Sequence, residues 1–279
     1  MTYYSSVTCS YFTAQMVLKQ KGMVLMKFNC GIILESLRWY NKIISLFEDN
    51  ESYECREISG YYEDQRIIKL SYSNTHDIFI ITGSGPSDAA SNSEFLRNFN
   101  LNTLIRIGTT GALVEDIAVG DIVNAILAIK GDGVSNYYLP NDIPAIADIS
   151  LFNSIGGFLR TKMKVIDGMV CSIAARYKQS KELLDSMVKY NVISVEMETA
   201  AIFAVGLDRK LPTVSLSIVC DTPINEYNEH DESTGVMDKN SINLVEAKFE
   251  ELFYEVINWV IHLQYANGKI TCGSFCSNC

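Results

Sequence analysis

The sequence lacks any uninterrupted run of about eighteen apolar residues, so it offers no membrane-spanning helix. Residues 1–22 lack the basic end, apolar stretch and small-residue cleavage site of a secretory leader. Both absences predict a cytoplasmic protein with no membrane partner. Positive charge is scarce as well: 23 Lys and Arg face 33 Asp and Glu, a net charge of −10. A broad contact with nucleic acid needs clustered cations, so no nucleic-acid partner is expected. One local Arg would still hold a small anion. No internal repeat or low-complexity tract is present. The eight cysteines give little pattern. Cys30, Cys171 and Cys220 lie in or beside apolar stretches, the usual place of a reduced, buried thiol. Cys272, Cys276 and Cys279 are spaced like part of a metal site, but a closed zinc site takes four ligands. They are read as free thiols on a frayed tail, and no metal is expected.

What is present is an ordinary globular composition, 48% hydrophobic and 20% charged over 279 residues, enough for a full core. Residues 23–268 are expected to form one domain, with 1–22 a disordered or non-native extension and 269–279 a Cys-rich tail. From Ile67 onward, apolar strand-like runs alternate with helical patterns. Ile78–Thr82 ends in Gly83-Ser84-Gly85-Pro86, with Ser87 placed to cap the next helix. Leu104–Ile107, Asp121–Ile129, Lys164–Val170, Val192–Val195 and Thr213–Val219 are further strand candidates. Glu196–Lys210 reads as a buried helix, and apolar residues from Ile242 to Leu263 recur at helical spacing up to Gly268. Continuous apolar strands between helices predict an α/β layered sheet. Ligands in such sheets gather where strands end. That rule selects Gly83–Ser87, Arg106–Gly111 and Cys220–Pro223.

Three elements in this set carry chemistry. In Arg106-Ile107-Gly108-Thr109-Thr110-Gly111 a guanidinium, hydroxyls and close-approaching backbone amides would hold an oxyanion; a turn with a solvated Arg is the plainer reading. Glu196 and Glu198 flank Met197 in an apolar segment, where a buried acid needs a partner. A carboxylate there would accept from the vicinal hydroxyls of a ribose, or it would simply favour a helix start. Asp221 ends a strand before Pro223, either as a proton donor or as a turn-forming Asp.

The ordered set Gly83–Ser87, Arg106–Val123, Asp132–Pro140, Val195–Val205 and Ser217–Pro223 resembles the nucleoside phosphorylase family. The likeness runs over about residues 60 to 265, toward the branch of purine nucleoside, methylthioadenosine and uridine phosphorylases. The resemblance implies a phosphorylase/hydrolase-like α/β fold, a three-layer αβα sandwich around a mixed central sheet, and transfer of a ribosyl group from a purine base to inorganic phosphate. It implies that Arg106, Thr109 and Gly85 bind phosphate, Glu198 and Met197 hold the ribose, Tyr177 walls the base and Asp221 protonates it. It implies no metal or organic cofactor, with phosphate as co-substrate, and a homo-oligomer, dimer or hexamer.

The amino-terminal part departs from the family pattern. The family's early Gly-Asp-Pro-x-Arg is matched to Phe28–Ile32, which puts Ile32 where an arginine would neutralise phosphate. Arg56 is off the spacing of the arginine some members lend across a subunit interface. No Arg closely follows Asp221, where His230 and Lys239 stand instead. Three readings follow: a phosphorylase, favoured by Arg106; a nucleosidase using water, favoured by Ile32; and a catalytically weak binding paralogue, disfavoured by Glu198 and Asp221.

Overall fold

The computed structural model describes residues 27–48, 50–60, 65–223, 239–266 and 269–272. The chain starts with β1 (Phe28–Leu34) and α1 (Leu37–Phe47), then a meander of β2 (Tyr53–Ser59), β3 (Arg66–Tyr72) and β4 (His76–Thr82). After α2 (Pro86–Leu96) come β5 (Thr103–Ala112), β6 (Ile122–Gly131) and the short β7 (Ala145–Ile146). Next are α3 (Ile149–Leu159), β8 (Val165–Ile173), α4 (Lys181–Lys189), β9 (Val192–Glu196) and α5 (Thr199–Arg209). The last elements are β10 (Thr213–Asp221), α6 (Lys239–Val260) and the small hairpin of β11 (Leu263–Ala266) and β12 (Lys269–Cys272). Among the described residues no helix is long and apolar enough to cross a membrane.

The central sheet is mixed, as the family resemblance implies. β1 lies parallel to both β4 and β5, whereas β3 pairs antiparallel with β2 and β4. β5, β9, β8, β6 and β10 pair in a ring, because β10 hydrogen-bonds to both β6 and β5. That closure bends the sheet so that the ends of β1, β4, β5, β9 and β10 face one hollow.

Alternation along the strands fills two layers. Ile32 and Leu34 of β1 join Ile105 and Ile107 of β5 in the cluster under α1 and α6. Ile33 and Leu104 point the other way, toward Ala89 and Leu96 of α2 and Ile202 of α5. On the first face Trp39 stacks on Phe249, ring centroids 4.3 Å apart, and ties α1 to α6. On the second, Ala90 of α2 meets Ala201 and Val205 of α5, small side chains that let the two helices come close. α5 is apolar all round and is buried from Thr199 to Gly206.

Local chemistry sets the element ends, in several places differently from expectation. Ser36 caps α1 by accepting from the Arg38 amide, and Asp148 caps α3 through Leu151. Ser87 does not cap α2; it lies inside the helix, whose N-cap is Gly85 with Pro86 following. A positive φ of 81° with ψ of 157° places Gly85 in a region open essentially to glycine alone, so the turn is made by backbone rather than by a hydroxyl. The second difference concerns Arg106–Gly111, which is not a turn after a strand. It is β5 itself, paired with β10 from Thr213↔Leu104 to Asp221↔Gly111. The helix expected from Glu196 starts at Thr199, since Glu196 completes β9.

Candidate active site

Arg106 stands mid-strand on β5 with its side chain 1% exposed. Burying a guanidinium demands partners, and it has four. Nη1 donates to Ser217 at 2.7 Å. Nη2 lies 2.7 Å from Glu198, 3.2 Å from Glu196 and 3.3 Å from Glu35. Burial alone would lower its pKa, but the three carboxylates more than offset that and hold it up, so Arg106 is a fixed cation. The solvated-turn reading of this segment therefore fails.

Each carboxylate has a distinct task. Glu196 accepts from the amides of Glu198 and Thr199 at 2.9 and 2.8 Å, closing the start of α5, and from the Ser172 hydroxyl. Glu198 accepts from the Gly85 amide at 2.7 Å as well as from Arg106, which joins the β4–α2 turn to the head of α5. Burial pushes its pKa up to about 7, helped by Glu35 and Glu196 and opposed by Arg106. Glu35 leaves the end of β1 and takes two contacts from Thr109: the amide at 2.6 Å and the hydroxyl at 2.7 Å.

The two glycines of this strand serve clearance. A Cβ on Gly108 would lie 2.5 Å from the guanidinium carbon of Arg106, which folds back across it. A Cβ on Gly111 would lie 2.5 Å from Asp221 Oδ1. They make room for an arginine and an acid, whereas the sequence suggested room for an anion's approach to the backbone.

Asp221, the last residue of β10, is raised in pKa by burial, against the pull of Arg176 at 3.2 Å. Arg176 comes from the short turn Arg176–Lys178 after β8, so the guanidinium beside this acid arrives from upstream. The sequence pointed downstream of Asp221 instead, to His230 and Lys239, and His230 lies outside the described residues. Tyr177 is 82% exposed and stands at the rim, and Met197 is half-buried against the same hollow. The cleft has a volume of about 200 Å³ and is walled by Glu35, Thr109, Tyr177, Met197, Glu198 and Asp221, among others. A larger hollow of about 590 Å³, near Asn102, Asp148 and Arg209, shares no lining residue with it.

The strand-end segments around Ser84, Thr109 and Asp221 thus meet, as the sheet rule anticipated. Gly85, expected to meet the phosphate, instead gives its amide to Glu198, because the turn after β4 is tied to the head of α5. The placement of Ile32 as the missing arginine does not hold. Ile32 is fully buried within β1, opposite Ile80 and Ile105. The residue that leaves the strand toward the site is Glu35, and the first arginine after it is Arg38, exposed in the first turn of α1. A signal for Glu35 existed: an acid directly after a buried run and before a capping Ser marks a strand end. Arg56 sits on β2 beside Glu54, well exposed. The start of the tail is not frayed, since Lys269–Cys272 pairs with Leu263–Ala266 as β12, while the side chains of Cys272, Cys276 and Cys279 lie outside the described residues.

A closed mixed sheet with helices on both faces and a polar cleft at its strand ends, built on one buried arginine, defines an α/β enzyme scaffold. Residues 47–257 match the phosphorylase superfamily, and the chain belongs to it. A purine nucleoside phosphorylase of the DeoD type from Buchnera aphidicola subsp. Acyrthosiphon pisum is 32% identical over 170 residues, 60% of this chain and 69% of that protein. Uridine phosphorylase from Vibrio fischeri superposes with a TM-score of 0.68 at 22% identity, covering 81% of this chain and 89% of that one. A 5′-methylthioadenosine/S-adenosyl homocysteine nucleosidase from Campylobacter jejuni does so at 0.67 and 14% identity, covering 83% and 97%. At those identities the two structures speak for the fold.

Proposed function

We propose that the protein is a pentosyltransferase that cleaves a purine nucleoside with inorganic phosphate, giving free base and ribose 1-phosphate. The observation that carries this reading is the convergence of the Thr109 amide, the Thr109 hydroxyl and the Arg106 guanidinium on a single carboxylate, at 2.6, 2.7 and 3.3 Å. Three donors fixed on one oxyanion are what a phosphate needs, and they are prepaid by the fold. Beside them Glu198, held from two sides, has lone pairs left to accept from the ribose 2′- and 3′-hydroxyls. Met197 packs on the sugar, Tyr177 closes over the base, and Gly85 keeps Glu198 in register with the cradle.

In this reaction the glycosidic bond loosens toward an oxocarbenium-like sugar while Glu198 keeps the anomeric carbon facing the phosphate. Phosphate forms the new C–O bond. The electron pair of the broken C–N bond goes to the base and delocalises over its ring, and Asp221 gives its proton to N7 of the leaving purine. Burial favours the protonated form of Asp221, and Arg176 reclaims the ionised form after transfer. The chemistry needs no metal or organic cofactor. The purine assignment follows Asp221 and the similarity to a purine nucleoside phosphorylase. A cytoplasmic homo-oligomer fits the same reading.

One observation favours hydrolysis as the second reading: the cradle is acid-rich, with Glu35, Glu196 and Glu198 around one guanidinium. The two readings part in a direct assay. Incubation of inosine with and without phosphate is expected to release hypoxanthine only with phosphate, together with ribose 1-phosphate; equal release in its absence, as free ribose, would establish the nucleosidase.

A further inference from the structure

Glu35 holds the position in which the proposed co-substrate would sit. Its carboxylate takes the Thr109 amide at 2.6 Å, the Thr109 hydroxyl at 2.7 Å and a share of Arg106 at 3.3 Å. Among the described residues no other acid of the site hydrogen-bonds to Thr109: Glu196 is held by the amides of α5, Ser172 and Arg106, and Glu198 by Gly85 and Arg106. Glu35 is also the least confined of the three, with its side chain 26% exposed against 1% for Glu196 and 3% for Glu198. It stands between the end of β1 and the cap of α1, so it can turn away without disturbing the apolar layers. A phosphate placed on these donors with Glu35 still present would add two negative charges to three carboxylates around one guanidinium. Like charges at that spacing exclude one another.

We infer that the Glu35 carboxylate is a built-in competitor for phosphate, displaced when phosphate binds, and that it sets the phosphate concentration the enzyme requires. The ligand class is a tetrahedral oxyanion. Glu35 is then a specificity-determining residue for the nucleophile: it penalises every anion that enters the cradle and does not penalise water. Its kinetic consequence rests on the phosphorolysis proposed above; its binding consequence does not.

The test uses the full chain and two variants, Glu35→Ala and Glu35→Gln, with inorganic phosphate as the probe. Calorimetry of phosphate against each protein alone is expected to show affinity at least about tenfold tighter in Glu35→Ala than in the parent, from the loss of a charge-assisted competitor. Glu35→Gln, which keeps an acceptor for Thr109 but no charge, should fall between them. At saturating nucleoside, the KM for phosphate should fall by a similar factor while the KM for nucleoside changes much less. A tighter affinity is a gain that a misfolded variant cannot imitate. Equal phosphate affinity in all three proteins, or weaker affinity in a variant that keeps the parent's unfolding temperature, overturns the inference and leaves phosphorolysis standing. Base release indifferent to phosphate overturns phosphorolysis instead, and calorimetry still decides the role of Glu35.

Discussion

Burial raises the pKa of both Glu198 and Asp221, yet the groups facing them differ, and so do the tasks proposed for them. Glu198 meets a buried guanidinium and an amide, which prepare it to accept hydrogen bonds. Replacing it by Gln should lower kcat/KM on the order of a hundredfold, through misplacement of the sugar, with the loss measured in initial rates. The same variant should alter stability. The pKa of Glu198 rises from an ordinary 4.5 to about 7 on folding, so the folded state holds an extra proton between those values. Stability is then fullest below 4.5 and is lost as pH climbs through 7. The Glu198→Gln protein should lose less than the parent between pH 5 and pH 8, read as the change in denaturant midpoint; identical slopes would refute the assignment. For Asp221 the readout is the leaving group. Asp221→Asn should lower kcat on inosine by about 10²–10⁴, the range of a general acid. It should cost far less on 7-methylguanosine, whose base leaves without needing a proton; equal losses on both would remove the acid role.

At the scale of elements, the site depends on how tightly β4, β5 and α5 are tied. Gly85 links two of them, with its amide on Glu198 and a conformation no Cβ tolerates easily. Gly85→Ala should destabilise the fold by about 1–3 kcal/mol, measured by urea unfolding, although open space surrounds the new methyl group. The layer behind the site rests on α1 and α6. Truncating Trp39, 2% exposed and stacked on Phe249, should cost about 3–5 kcal/mol in the same measurement. The strands of this scaffold were legible in the sequence because buried parallel strands are written as continuous apolar runs; Ile78–Thr82 and Thr213–Val219 both proved to be strand. Element ends were less legible. Arg106–Gly111 reads as a turn because Gly and Thr are turn residues, yet here the glycines clear room for Arg106 and Asp221. Spacing in the chain cannot reveal a clash between residues 110 positions apart.

At the scale of the whole molecule, a layered α/β sheet follows from alternation, while its antiparallel pairings and its closure do not. β10 closes the ring by pairing with β6 and β5, a long-range pairing that no local pattern encodes. The same limit applies to the site. Arg106, Glu198 and Asp221 could be picked from the sequence as a strand arginine, an acid in an apolar segment and an acid at a strand end. Glu35 and Arg176 escaped, since their meaning comes from elements folded against them, β5 in one case and β10 in the other. The resemblance to nucleoside phosphorylases and membership of the phosphorylase superfamily agree with that partial legibility. The measurement that tests the account most directly is hypoxanthine release from inosine as phosphate is raised from zero, with the sugar product identified. Phosphorolysis predicts no release at zero phosphate, a saturable rise, and ribose 1-phosphate as product. Full release at zero phosphate with free ribose as product would contradict it.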